Sequence, residues 1–519
     1  MDERVAGALR LLPDYLGQHV LLSASSLLLG LAVSAPLVVL ARNSARVRWP
    51  VLTFVSVIQT VPSLALLALF YPLLLALSSL SLKLFGHGFA ALGFLPSLLA
   101  LTLYSMLPIV RNGVTALLNI DPAVMEAARG VGMTPRQSLF RVELPLAMPV
   151  IMAGIRTSAV WVIGTATLST PVGQTSLGNY IFSGLQIENW VSVLFGCLSA
   201  VALAVIADQL LALVENGVAT RRPLRVWLGL ALLVVGVAAA IVPTTHGAKS
   251  AYVVGAKSFS EQYILADLMA DRIVRAGSSA TQRIGLGSVI AFKALSNNEI
   301  DAYVDYSGTV WANVLNRKDS LPRAQMLDEM TRLLKEKYGV TLLGSLGFEN
   351  AYALAMRGDQ ARSLNVRSIA DLAGHAGELR LGTDFEFLAR PEWAALRDSY
   401  GLAFREERQY QSTFMYRAVA SREVDVISAF SSDGRIAAYD LVVLEDAKQV
   451  ILPYDAIVLL APRRAGDATL RRALMPLIGA VPIEQMREAN QMVDRDENKV
   501  SPAQAAKWLA EKAGLAGLN

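Results

Sequence analysis

Residues 51–82 contain no charged side chain. That is more than one straight crossing needs, since a helix spans the hydrocarbon core of a bilayer in about 20 residues. Other long apolar runs lie at 20–41, 91–110, 148–170, 189–207 and 226–243, all within the first 245 residues. Only a bundle of membrane helices satisfies the backbone of so many such segments, and the 54% hydrophobic content is concentrated there. Pro62 and Pro72 predict a bend or an unwound turn within 51–82, and residues 1–15 read as a short amphipathic helix ending at Asp14. Arg156 is a lone charge inside the fourth run, facing either an aqueous cavity or the nearer interface.

Loop charges orient the bundle. Arg42, Arg46 and Arg48, the charged stretch between spans three and four, and Arg221, Arg222 and Arg225 fall on one side. The opposite loops carry only Lys83 between 72 and 90, and no lysine or arginine between 173 and 188. The arginine-rich side is cytoplasmic by the positive-inside bias, so six spans carry everything after Lys249 to the outside of the membrane. The sixth span reads as an uncleaved anchor rather than a mid-chain signal peptide: its apolar run is long, and His246-Gly247-Ala248 is a poor cleavage site. The net charge of +4 reflects these loops, and no basic patch with interleaved aromatics suggests nucleic acid.

From Ala251 short β-runs alternate with amphipathic helices, which argues for α/β architecture. Strands are expected at 251–257, 301–305, 341–346, 352–357, 378–384, 424–430 and 441–446, with an extended apolar return at 449–462 and a helix from Ser260, its N-cap, to Ala276. Two crossings, near 348–354 and 450–458, imply two lobes joined by a pair of strands, with a ligand between them. The single cysteine, Cys197, excludes an intrachain disulfide and a cysteine-rich zinc site. The four histidines, at 19, 87, 246 and 375, show no metal-ligand or nucleophile pairing, and no phosphate-binding GxxxxGK[ST] loop is present. No catalytic residue, metal or cofactor is expected.

The stretch Glu126–Pro145, EAARGVGMTPRQSLFRVELP, interrupts the apolar half. Asp121-Pro122 starts a helix that stops near Gly132; Thr134-Pro135 turns the chain, and a second helix ends near Pro145. As an isolated segment this is an ordinary basic loop. Its spacing, however, resembles the EAA loop of ABC-importer permeases. IQTVPSLALLALF (58–70), LYSMLPIVRNGV (103–114) and PLAMPVIMAGIRTS (145–158) are similar to permeases of glycine betaine/choline/carnitine importers. In the second half VGAKSFSEQYIL (254–265), DAYVDYSGT (301–309), FENAYAL (348–354), FEFLARPEW (385–393), SSDGRI (431–436) and LPYDAI (452–457) resemble the quaternary-amine binding proteins of the same importers.

The resemblance implies a fused permease and receptor: a transmembrane domain at 1–220 with a coupling loop at 121–149, a linker and sixth span at 221–249, and a two-lobed binding domain at 250–519. Lobe 1 would comprise about 250–350 and 455–519, and lobe 2 about 351–454. A separate cytoplasmic ABC ATPase would dock on Glu126, Ala127, Ala128 and Gly132, and a homodimer would supply two such loops. A trimethylammonium group has no N–H to donate, so ring faces must hold it. By motif position these are Tyr306, Tyr352, Phe430 and Tyr454, with Lys257, Arg390 and Thr309 for a ligand carboxylate. Any of these rings could instead be core, and Arg390 could instead pair with Glu386. The competing classes are a ligand-sensing receptor without transport and a membrane-anchored enzyme.

Overall fold

The N-terminal 15 residues are not a separate element. In the computed structural model, which describes residues 3–515 apart from 90, 92, 187, 188, 247–251, 318, 320 and 496, helix α1 (Glu3–Asn43) runs through Pro13 and Asp14 without a break. Packing explains the continuity: Ala8, Leu12 and Tyr15 cluster with Tyr180 and Phe195, and the Tyr180 hydroxyl donates to the Ala8 carbonyl at 2.6 Å. The stretch 247–251, on which cleavage after the sixth span turns, lies outside the described residues. Two compact units make up the chain, residues 1–182 with 191–248 and residues 183–190 with 249–519.

In the first unit the long charge-free run divides into α2 (Ala45–Thr60) and α3 (Ser63–Phe85), separated by extended backbone at Val61 and Pro62. The Tyr104 hydroxyl donates to the freed Val61 carbonyl. Pro72, the other expected bend, lies inside α3. Helix α4 (Phe94–Leu118) is buried along most of its length and packs on α1 and on α7 (Leu144–Ala166). The bundle continues with α8 (Gly178–Gln186), α9 (Trp190–Ala219) and α10 (Pro223–His246). Among the described residues, six helical segments are long and apolar enough to cross a membrane: Leu11–Asn43, Ser63–Phe85, Phe94–Leu118, Pro135–Val172, Trp190–Ala219 and Pro223–Val242.

The charged stretch forms α5 (Pro122–Gly130), capped by the Asp121 carboxylate on the Ala123 N–H, then a left-handed Gly132, then α6 (Pro135–Ser138) behind a Thr134–Gln137 capping box. The second helix does not end near Pro145. It continues through a π-helical turn, Leu139–Glu143, into α7. The wider turn lets Leu144 N–H reach the Leu139 carbonyl, so the proline ring enters without breaking the helix. Glu143, 1% exposed, accepts from Ser138 Oγ at 3.0 Å and from Arg42 Nη2 at 2.5 Å, tying this segment to the end of α1.

Arg156 does not stand alone. Its guanidinium forms a two-bond contact with Asp208 (3.0 and 2.9 Å) and a third with Glu215 (2.7 Å). Both acids lie on α9, which extends past 207, where Asp208 ended the apolar run. Arg156→Leu would leave two carboxylates side by side within a span, and a detergent thermal melt should register a loss of about 2–3 kcal/mol. Asp208→Asn, which leaves Glu215 to Arg156, should cost less. His19 is equally internal: Leu177 N–H donates to Nδ1 (3.3 Å), so Nε2 carries the proton and donates to the Ile163 carbonyl (3.0 Å).

The second unit holds two five-stranded sheets. The first has the order β2-β1-β3-β10-β4, from β1 (Tyr252–Lys257), β2 (Ala280–Leu286), β3 (Ala302–Tyr306), β4 (Thr341–Glu349) and β10 (Asp455–Leu460). The second has the order β7-β6-β8-β5-β9, from β5 (Tyr352–Arg357), β6 (Arg380–Thr383), β7 (Glu406–Gln409), β8 (Val426–Phe430) and β9 (Leu441–Val443). In each sheet one strand runs against the other four, β10 between β3 and β4 in the first and β5 between β8 and β9 in the second. The chain passes between sheets at Asn350-Ala351 and again between β9 and β10. Helix α11 (Ser260–Arg275) follows β1; its N-cap is Phe259 rather than Ser260, whose hydroxyl bonds the Asp494 carboxylate.

Candidate functional site

Parallel strands of both sheets finish at one crevice, and the antiparallel strands enter from it. Lys257 ends β1, Tyr306 ends β3 and Phe430 ends β8, while Tyr352 opens β5 and Tyr454 immediately precedes β10. Register sets the alignment: Tyr352 lies opposite Phe430, and Ala456 opposite Tyr306. Thr309 sits in the turn after β3, and Arg390 is the N-cap of the helix Pro391–Tyr400. All seven line one cavity of about 190 Å³. An open groove of about 470 Å³ along α2 is larger, but it is shallow, formed by one helix, and its surface is mostly apolar.

The rings touch one another. The Tyr352 centroid lies 5.0 Å from Phe430 and 5.9 Å from Tyr454, the latter edge-on at 82°. Phe259, not singled out from the sequence, stands between Tyr306 (6.1 Å) and Phe430 (6.5 Å) and lines the same cavity. Gly308 makes room for Tyr454: a β-carbon there would lie 2.6 Å from two ring atoms. Because Tyr454 is 1% exposed, its ring has nowhere to retreat. Gly308→Val should therefore cost about 1–3 kcal/mol of stability by overpacking and weaken every cavity ligand, as thermal melts and titrations would show.

Both cations of the cavity already have partners. Lys257 pairs with the fully buried Asp305, its Nζ 5.2 Å from the centre of the Tyr306 ring. Arg390 donates to Glu386 (3.2 Å), the Tyr454 hydroxyl (3.0 Å) and Thr309 Oγ1 (3.4 Å), with Glu392 3.5 Å from its Nε. Its guanidinium lies 4.9 Å from the Tyr352 ring centre and 5.9 Å from that of Tyr454. The salt bridge to Glu386 is thus present together with the cavity position, and both cations lie beside the rings. Burial works against the Arg390 charge, but Tyr454, Tyr352, Glu392 and Glu386 outweigh it and raise its pKa.

Behind the rings, Glu261 is buried and accepts four hydrogen bonds: from the Tyr306 hydroxyl (2.5 Å), Asn350 (3.1 Å), Ser432 (2.6 Å) and Asn490 (2.8 Å). Burial raises the Glu261 pKa against those bonds, and burial beside Glu261 raises that of Tyr306 well above the usual range. Tyr306 therefore keeps its proton and its ring is held in place. Glu261 joins the first sheet, the crossing at Asn350 and the second-lobe Ser432. Glu261 lies two residues past the Phe259 N-cap, within the stretch VGAKSFSEQYIL, and was not singled out from the sequence.

Architecture and cavity define a two-lobed binding domain carried on a multi-pass helical membrane domain. The family described as the substrate binding domain of ABC-type glycine betaine transport systems matches residues 250–511, and the binding-protein-dependent transport system inner membrane component matches 26–220. The chain belongs to this transport family, as a permease fused to its substrate-binding domain. It is 28% identical over 496 residues, 92% of this chain and 86% of the relative, to the ergothioneine transport permease/ergothioneine binding protein EgtU of Helicobacter pylori (strain G27). The choline transport system permease protein OpuBB of Bacillus subtilis (strain 168) is 38% identical over 199 residues, 38% of this chain and 84% of that one. A solved glycine betaine/carnitine/choline ABC transporter structure is 28% identical, covering 51% of this chain and 99% of that one at a TM-score of 0.45. The chain is a multi-pass inner-membrane protein with its binding domain outside, as the loop arginines require.

Proposed function

We propose that this chain is the permease and receptor of an ATP-driven importer for a small quaternary ammonium or betaine compound of the glycine betaine, choline, carnitine or ergothioneine class. One observation carries the reading: a small buried cavity at converging strand ends, walled by Phe259, Tyr306, Tyr352, Phe430 and Tyr454. Ring faces attract a cation that offers no hydrogen bond, at about 0.5–2 kcal/mol each. Tyr306, Tyr352, Phe430 and Tyr454 hold the ammonium. Arg390, with Thr309 beside it, takes a ligand carboxylate; Lys257, committed to Asp305, adds positive potential.

ATP hydrolysis comes from a separate cytoplasmic subunit docked on the coupling loop. Glu126 and Ala127 are exposed, and the space around Gly132 is open, which suits a close-fitting partner. Two copies of the chain pair to present two such loops. The buried Arg42–Glu143 contact lets motion received there reach α1 as well as α7. The test is uptake of labelled betaines into proteoliposomes containing the chain with and without its cognate ATPase. Accumulation should require both the ATPase and ATP. Accumulation without the ATPase would refute the division of labour.

A further inference from the structure

Asp384, directly after β6, is the cavity carboxylate whose needs the protein leaves half met. The residue is 5% exposed. Its Oδ1 accepts from the backbone N–H groups of Glu386 (2.7 Å) and Phe387 (3.1 Å), and its own N–H donates to Ser428 Oγ (3.2 Å). Its orientation is thereby fixed. Oδ2 is buried and has no hydrogen-bond partner among the described residues, although the residue lines the cavity. The two cavity cations are engaged elsewhere, Lys257 by Asp305 and Arg390 by Glu386 and Glu392. Asn350 presents a second orphan: its amide nitrogen donates to Glu261, which fixes the flip, and its buried Oδ1 has no partner.

A buried acceptor is left unpaired only at a cost, so a site with such groups selects ligands that supply the missing donors. A trimethylammonium group cannot supply them. We infer that Asp384 Oδ2 is a subsite for a hydrogen-bond donor on the ligand, so that the chain's substrates are quaternary amines bearing an O–H or N–H group in addition to the trimethylammonium. Glycine betaine, which lacks such a donor, ranks below carnitine, with its hydroxyl, and below ergothioneine, with its ring N–H groups. The inference rests on the quaternary-amine reading of the cavity and narrows it.

The test is calorimetric titration of the purified full chain with glycine betaine, carnitine and ergothioneine, on wild type and Asp384→Asn. Asparagine keeps the oxygen that the turn needs and presents its NH₂ where Oδ2 stood, donor facing donor. The wild type should bind at least one donor-bearing ligand about tenfold or more tighter than glycine betaine, and that ratio should collapse about tenfold or more in Asp384→Asn. The ligand whose ratio collapses tells a hydroxyl donor from a ring N–H. If Asp384→Asn does not fold, Asp384→Ser, whose hydroxyl can still cap the turn, reads the same ratio. An unchanged ratio overturns the proposal, whether because both affinities fall together, as they would if Asp384 acted on the ammonium by charge alone, or because neither moves. A wild-type chain that binds no trimethylammonium ligand would instead overturn the quaternary-amine reading itself.

Discussion

Gly132→Asp is expected to abolish uptake and the stimulation of ATP hydrolysis by ligand, while leaving the affinity of the binding domain unchanged. Gly132 ends α5 in the left-handed region (φ +76°), its N–H on the Arg129 carbonyl at 2.9 Å and the Met133 N–H on Ala128 at 3.1 Å. A β-carbon there meets nothing within 4 Å in this chain, so the substitution does not crowd the permease. Two effects remain: left-handed strain of about 1–2 kcal/mol for most residues, and bulk on the surface assigned to the ATPase. Gly132→Asn and Gly132→Ala separate them: asparagine, like aspartate, tolerates the left-handed region and adds mainly bulk, whereas alanine bears the strain and adds little bulk. Loss of uptake in Gly132→Asn with uptake kept in Gly132→Ala would be due to bulk at the docking surface. Normal uptake in well-expressed variants of both kinds would remove the loop from its proposed role.

Arg390→Ala should cost a carboxylated ligand about 2–5 kcal/mol, because the ligand carboxylate is then desolvated and underpaired. A guanidinium has five N–H donors. Those of Arg390 reach Glu386, Tyr454 and Thr309 in three hydrogen bonds, and its Nε–H, 3.5 Å from Glu392, has no hydrogen bond in the cavity. Donor capacity is therefore left for a ligand. Choline has no carboxylate to strand and should be little affected by Arg390→Ala. Tyr306→Ala, in contrast, should cost both ligands about 0.5–2 kcal/mol. Because Arg390 also neutralises the buried Glu392, equal losses for both ligands in Arg390→Ala would identify it as a strut of the second lobe. The clamp role would then be withdrawn, and the rings would keep theirs.

What the sequence made legible follows the physics that each segment obeys. The spans were visible because a bilayer demands uninterrupted apolar length, and the inner strands because burial on both faces demands runs such as VDVISAF and DAIVLL. The strands that escaped notice, β2 (ATQRIGL) and β7 (EERQ), are sheet edges. They carry Gln282, Arg283 and Arg408 among their residues, so no apolar run marks them. Helix α9 was cut short at Asp208 because a charge inside a span reads as its end until its partner is known, and that partner, Arg156, is 52 positions away. Pro145 read as a helix stop because a π-turn leaves no compositional trace. At the site, Tyr306, Tyr352, Phe430 and Tyr454 were singled out through the resemblance of their motifs to quaternary-amine binding proteins. Phe259, between two serines, looked like loop, and Asp384 looked like the last residue of an expected strand. Their part in the cavity depends on two sheets meeting, which no local pattern encodes.

The account's central claim is that the aromatic cavity recognises a quaternary ammonium group. The most direct measurement is equilibrium titration of the purified full chain with matched pairs differing only in N-methylation: glycine betaine against glycine, and choline against ethanolamine. The trimethylated member of at least one pair should bind about tenfold or more tighter than its unmethylated counterpart, because a primary ammonium gives up a strong hydration shell on entry, and beyond the two acceptors at Asp384 and Asn350 it meets ring faces that cannot replace that shell. Equal binding within each pair, or preference for the unmethylated amine, would contradict the account.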